Sequence, residues 1–335
     1  MRTIELFAGG GGVALALRSL GIDCVAHAEL DAAACDTLRL HGFAGVQRID
    51  LSVTDPDVDG PIDLLWASPP CQPFSSAGRL LGAEDPRDGF PWVHRIVAKL
   101  RPTWVVIENV SGLTRHRKGH GPRCPACYLD RQLVRLRESY AHVQTWLLDA
   151  ADYGVPQHRR RVFIVAGPSR PARPTPTHGD PALYLAGRLP WRTMGEALGL
   201  LTDEPSTTVP APRADQPAAT ITHEVARADG SRGNASITLD RPSPVVSATE
   251  EKGAGNRATR RARGEDAPGS LDRASDALLL GTGRRRLTVA ECAVLQGFPA
   301  DYHFVGWKRD QYRQVGNAVP PPLALAVLRA VVEDR

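Results

Sequence analysis

The sequence has no apolar run near the roughly 18 residues that a membrane span needs; Leu323 to Leu328 is about the longest. It opens Met1-Arg2-Thr3-Ile4-Glu5, with an acid where a secretory signal wants an apolar stretch. Cysteine is scarce and scattered, at Cys24, Cys35, Cys71, Cys124, Cys127 and Cys292. That argues against a disulfide framework and leaves any special cysteine to be a nucleophile or a metal ligand. Membrane, secreted and collagen-like classes are therefore not expected. There is little excess charge either: +4 at pH 7 says almost nothing about partners. What remains is ordinary for a globular protein, 42% hydrophobic and 23% charged. A length of 335 residues suits two domains.

Up to about residue 167 the chain alternates strand and helix. Apolar strands are expected at Arg2–Phe7, Asp23–Ala28, Asp63–Ala67, Trp104–Ile107 and Arg161–Ala166, with helices over Val13–Leu20 and Asp31–Leu40. The pattern predicts an α/β fold with a doubly wound, mostly parallel sheet. From Pro168 prolines recur and regular structure is interrupted. The stretch 168–283 is expected to be a second, smaller and irregular domain, holding two similar turn-plus-strand pieces at 215–222 and 240–247. Helical spacing returns at Leu287–Leu295 and Leu323–Val332, so residues 1–167 and 284–335 are expected to form one domain around an insertion. Basic clusters stand at Lys252–Arg263, Arg284–Arg286 and Arg159–Arg161. They suit a polyanion, although a solvated surface has the same composition.

Phe7-Ala8-Gly9-Gly10-Gly11-Gly12 follows a strand and opens a helix, as in nucleotide-binding turns. Gly9-x-Gly11-x-x-Ala14 is a loose dinucleotide fingerprint, and Glu29 stands 20 residues after Gly9, where a ribose-binding acid belongs. A nicotinamide or S-adenosylmethionine would suit this loop equally. Ser68-Pro69-Pro70-Cys71-Gln72-Pro73-Phe74-Ser75 directly follows the third strand. Two prolines fix the backbone before a cysteine at the carboxyl end of a parallel strand, where ligands bind in such sheets. A free thiol is only a few per cent thiolate at neutral pH, so a working nucleophile there needs a cationic or polar setting.

These segments resemble, in order, the motifs of the DNA cytosine-5 methyltransferases. The likeness covers nearly everything outside 168–283. Glu5-Leu6-Phe7-Ala8-Gly9-Gly10-Gly11-Gly12 is similar to the family's first motif, with Glu5 where Asp is usual. Pro69 to Ser75 resembles its nucleophile motif, Glu108-Asn109-Val110 its Glu-Asn-Val, and Gln157-His158-Arg159-Arg160-Arg161 its Gln-x-Arg-x-Arg. Arg286 to Pro299 and Gln314-Val315-Gly316-Asn317-Ala318-Val319-Pro320 complete the set. The resemblance implies S-adenosylmethionine as cofactor, held by Phe7, Gly9, Gly12, Glu29, Asp50, Pro70, Asn317 and Val319. It implies Cys71 as the nucleophile at cytosine C6, Glu108 at N3, Arg161 at O2 and Arg159 bracing the thiolate or the catalytic loop. Double-stranded DNA is the implied substrate, read by 168–283, with the target base flipped out and Ser75–Trp92 as a mobile loop closing over it. A monomer in the bacterial or phage-infected cytoplasm, near the nucleoid and paired with a restriction endonuclease, fits this picture. A transfer-RNA cytosine-5 methyltransferase and a DNA-binding homologue without catalysis are the rivals.

His116, His120, Cys124 and Cys127 lie within 12 residues, and Cys124-Pro125-Ala126-Cys127 has the spacing of a zinc knuckle. Structural zinc is one expectation. Two reduced thiols on an exposed loop is the other, since zinc sites usually draw a second pair from farther away.

Overall fold

The computed structural model describes residues 1–70, 85, 87–116, 124–183, 185–199 and 287–333. Cys71 to Ser75, His120, the two repeated pieces and the basic stretches Lys252–Arg263 and Arg284–Arg286 lie outside the described residues.

Strand β1 (Arg2–Leu6) runs through the glycine turn into α1 (Gly12–Ser19). Then come β2 (Asp23–Glu29), α2 (Ala32–Leu40), the short β3 (Val46–Arg48), β4 (Leu64–Ala67), α3 (Phe90–Leu100) and β5 (Trp104–Val110). A 3-10 turn (Ser111–Thr114) leads on to α4 (Pro125–Arg137), β6 (His142–Asp149) and β7 (Arg160–Gly167). A two-residue strand pair, β8 (His178–Gly179) and β9 (Leu189–Pro190), precedes α5 (Met194–Ala197). The chain closes with α6 (Val289–Leu295), α7 (Lys308–Asn317) and α8 (Pro321–Val332).

The seven strands are ordered β3-β2-β1-β4-β5-β7-β6, and only β7 runs against its neighbours. This is the mostly parallel α/β sheet that the alternating pattern predicts. Its central strands are continuously apolar because helices cover both faces. Leu65, Ala67, Val105, Ile107, Val162 and Ile164 pack with Phe90, Val93 and Ile96 of α3 and with Tyr128 and Leu129 of α4. Leu64, Trp66, Val106 and Phe163 point the other way, onto Val13 and Leu17 of α1 and Leu323, Val327 and Leu328 of α8. Among the described residues, one stretch within 308–332 is apolar and long enough for a membrane span by composition. Residues 308–332 form two helices separated at Ala318–Pro320, and α8 spends its apolar face on the core.

One expectation is corrected. Trp92 does not belong to a loop: Phe90 begins α3, with Pro91 in the first turn, where proline's fixed φ suits a helix. The Phe90 amide donates to Asp88 Oδ1 at 3.1 Å. Described residues after Gly167 lie on the same body. Tyr153 donates to the Pro174 carbonyl at 2.9 Å, Trp191 Nε1 to Asp152 at 3.0 Å, and Met194 packs on Leu295.

Strand order reverses between β1 and β4, so connections leave these two strands in opposite directions and open a crevice at their carboxyl ends. Phe7 and Ser68 follow directly from these two strand ends.

Candidate active site

The four consecutive glycines do different things. Phe7 and Gly9 both sit in the left-handed region, with φ 59° and 56°. For Phe7 that is a strained conformation of the kind held at binding sites. Among the described residues, a Cβ on Gly9 would meet nothing within 4 Å, so of the four glycines only this one has no described neighbour against it. A Cβ on Gly10 would press on the Phe304 ring at 2.8 Å, one on Gly11 would strike the Tyr302 hydroxyl, and one on Gly12 the Val319 carbonyl oxygen. Gly10 to Gly12 thus serve close packing of the C-terminal segment, and Tyr302 donates to the Gly10 carbonyl at 2.8 Å. Gly12→Ala must displace backbone and is expected to cost about 1–3 kcal/mol. Gly9→Ala should cost about 1–2 kcal/mol, for backbone strain alone, without displacing a neighbour. Urea unfolding of the two variants checks both costs, and a Gly12→Ala cost near zero would mean that the Val319 backbone moves aside freely.

Glu29 ends β2 beside this turn. Its carboxylate accepts from the amides of Gly9 (2.7 Å), Leu30 (2.8 Å) and Asp31 (2.8 Å). Burial raises its pKa against the pull of those donors. Asp50, just past β3, accepts from Ser52, which holds its carboxyl below the ordinary value. At the end of α7, Asn317 is exposed and Val319 buried.

On the β4 side, Asn109 fixes the turn that leads to Cys71: its Nδ2 donates to the Pro69 carbonyl at 3.2 Å while its Oδ1 accepts from the Val110 amide at 2.9 Å. The preceding residue, Glu108, is 7% exposed. Its Oε1 lies 3.0 Å from Nε of Arg161, which β7 places opposite Val110. Burial pushes the Glu108 pKa up, and Arg161 and then Arg159 pull it partly back. A carboxyl that can hold a proton, beside a fixed guanidinium, is suited to a heterocycle that gains negative charge.

Arg159 is placed differently from Arg161. It is 1% exposed and donates through one nitrogen to the carbonyls of Gly316 (2.8 Å) and Ala318 (3.0 Å), tying the arginine motif to the C-terminal segment. Asp149, which no motif identified, organises the approach: it accepts from the Arg159 amide (2.9 Å) and pairs with His158 (3.0 Å). Burial alone would raise its pKa, but these partners bring it below the ordinary value. Glu5, where Asp is usual, has its counterpart across the strand pair, His27 Nδ1 at 2.6 Å with both side chains buried. Three of the four candidate metal ligands, His116, Cys124 and Cys127, come within 4.8 Å of one another.

The C-5 cytosine-specific DNA methylase family model matches residues 1–333. The chain is 33% identical to Type II methyltransferase M.NgoMIV of Neisseria gonorrhoeae, covering 99% of this chain and 97% of that one. It is 31% identical to Type II methyltransferase M.AplI of Arthrospira platensis, covering 98% and 84%. A putative DNA modification methyltransferase encoded in an E. coli prophage superposes with a TM-score of 0.58 at 19% identity over 99% of both chains. The Dnmt2 methyltransferase of S. pombe gives 0.62 at 17% identity over 100% of this chain and 98% of that one, a likeness of fold. The chain belongs to the C-5 cytosine-specific DNA methylases and is a DNA (cytosine-5-)-methyltransferase.

Proposed function

We propose that the enzyme methylates C5 of a cytosine flipped out of a specific duplex sequence, through a covalent bond between Cys71 and ring carbon C6. The observation that carries this is the bond from Asn109 to Pro69. It joins the strand end bearing Glu108 to the Pro69-Pro70 turn from which Cys71 follows. Cytosine C5 is too weak a nucleophile unaided. Addition of the Cys71 thiolate to C6 converts the ring to an enamine, nucleophilic at C5. As charge builds on N3 and O2, Glu108 bonds or protonates N3 and Arg161 bonds O2. Arg159 supports the wall through the carbonyls of Gly316 and Ala318. After methylation a base removes the C5 proton and the Cys71 thiolate leaves C6, restoring aromaticity.

Two observations suit S-adenosylmethionine at the crevice: no described residue stands within 4 Å of where a Gly9 Cβ would lie, and an acid stands at the end of β2 beside it. When bound, that molecule supplies an electrophilic methyl group. Phe7, Gly9, Glu29, Asp50, Pro70, Asn317 and Val319 would hold it, with Gly12 acting by admitting Val319 so closely. Glu29→Ala is expected to weaken binding about 10- to 100-fold, the worth of one charge-assisted hydrogen bond. Calorimetry with S-adenosylhomocysteine measures it, and an unchanged Kd would remove Glu29 from the site.

Residues 168–283 would read the sequence through major-groove edges and phosphates. The Type II names of the relatives support pairing with a restriction endonuclease and action on nucleoid DNA in the cytoplasm. The test is transfer of tritiated methyl from S-adenosylmethionine to unmethylated duplex DNA and, in parallel, to transfer RNA, with nucleoside analysis. Label in DNA as 5-methylcytosine is expected. Label only in RNA would transfer the activity to RNA, and none in either would leave a binding protein.

A further inference from the structure

The strand that carries Glu108 continues through the Ser111–Thr114 turn to Arg115 and His116, and α4 begins at Cys124. The Ala126 amide donates to the Arg115 carbonyl at 3.2 Å, which ties the residue before His116 to the first turn of α4. Cys124 is the N-cap and Cys127 the third helical residue, so their side chains share one face of that turn. Pro125 fixes the start of the helix between them.

A tetrahedral zinc ion with bonds of about 2.3 Å to sulfur and about 2.1 Å to nitrogen sets its ligands about 3.6–3.8 Å apart. Here His116 Nδ1 lies 3.8 Å from Cys124 Sγ, and all three ligand atoms lie within 4.8 Å of one another. The donor set is two thiols and an imidazole with no carboxylate among them, which is soft and favours zinc over magnesium or calcium. Cys124 is 1% exposed, and the helix N-terminus favours the negative charge that two thiolates bring. We propose that His116, Cys124 and Cys127 supply three of the four ligands of one zinc ion that serves as a structural clamp.

What the clamp would hold is visible one residue on. Tyr128 donates to Asp88 Oδ2 at 2.5 Å and meets the Phe90 ring edge-to-face, with centroids 5.5 Å apart. Asp88 in turn receives the Phe90 amide at the start of α3. Metal at the first turn of α4 therefore joins the chain leaving Glu108 to the start of α3. Zinc binding pulls deprotonated ligands out of the unfolded ensemble and adds its free energy to folding. A Cys-x-x-Cys pair at a helix start is also the arrangement of a redox disulfide. The histidine brought against Cys124 favours metal.

The test is metal content of enzyme grown in zinc-supplemented medium and purified reduced, without chelator or metal-affinity tag. About one zinc per chain is expected, falling below about a tenth in the Cys124→Ser/Cys127→Ser double variant and unchanged in Cys24→Ala. Since the double variant could fail to fold, cobalt(II) is exchanged into the wild-type enzyme. A thiolate-to-cobalt charge-transfer band with intense tetrahedral d–d bands supports the site. Stripping zinc with a mercurial and chelator should lower Tm by several degrees, restored by zinc and thiol, while the Kd for S-adenosylhomocysteine stays unchanged. Wild-type enzyme with less than about a tenth of a zinc and no cobalt–thiolate band would overturn the proposal. So would zinc retained by a folded double variant. None of these readouts depends on methyl transfer, so the site and the reaction stand or fall separately.

Discussion

Cys71→Ala is expected to lower methyl transfer to duplex DNA by about four orders of magnitude or more, the usual cost of removing a covalent nucleophile. Without addition at C6 the ring has no route to an enamine, and neither Glu108 nor Arg161 can supply one. The variant should still bind S-adenosylhomocysteine with wild-type affinity, because the glycine turn and Glu29 do not depend on the thiol. A duplex with 5-fluorocytosine at the target separates this mechanism from direct transfer. Fluorine in place of the C5 proton blocks elimination, so wild-type enzyme with S-adenosylmethionine should accumulate a denaturation-resistant adduct and Cys71→Ala should form none. An adduct in the variant, or activity within about tenfold of wild type, would assign the nucleophile elsewhere.

The sequence shows its central strands well because helices cover them on both sides. Leu64–Ala67 and Val105–Ile107 read as plain apolar runs, and they are fully buried. The strands it hides are peripheral. β3 is three residues long, and β6 lies at the sheet edge, with His142 and Leu147 exposed. Neither has a run or an alternation to detect. Helix α7 is missed for a similar reason: Lys308 to Gln314 is polar, and only Gln314, Val315 and Gly316 are buried. In the site, the ordered motifs identify Glu108, Asn109 and Arg161 by position, yet the division of labour among Gly9 to Gly12 is invisible in four identical letters. It is set by Phe304, Tyr302 and Val319, nearly the length of the chain away. His27 is likewise legible as the partner of Glu5 only once β1 and β2 are in register. The three metal-ligand candidates that come together could be proposed because their spacing is local; their distances needed the fold.

The second large effect concerns the proton on Glu108. Its pKa is raised chiefly by burial, with Arg161 and then Arg159 opposing the rise. A raised pKa in an acid keeps more of it protonated at a given pH. If protonated Glu108 serves N3, kcat falls as pH climbs through that pKa and the carboxyl ionises. Glu108→Gln keeps a donor near N3 but cannot release a proton, so kcat should drop about 10²- to 10⁴-fold and the Glu108-dependent alkaline fall should disappear. Arg161→Ala works in the opposite sense on the titration. It removes the stronger of the two charges that favour the carboxylate, so the same alkaline fall should persist but begin at higher pH. It also loses the contact to O2, and with it about 10²- to 10³-fold in kcat. The two variants thus separate charge from proton: one erases the limb and the other displaces it upward. Single-turnover rates across pH, with cofactor and DNA saturating, measure both. A limb unmoved in both variants would mean that Glu108 does not titrate in the reaction, and that its buried pairing with Arg161 serves to hold the strand end in place.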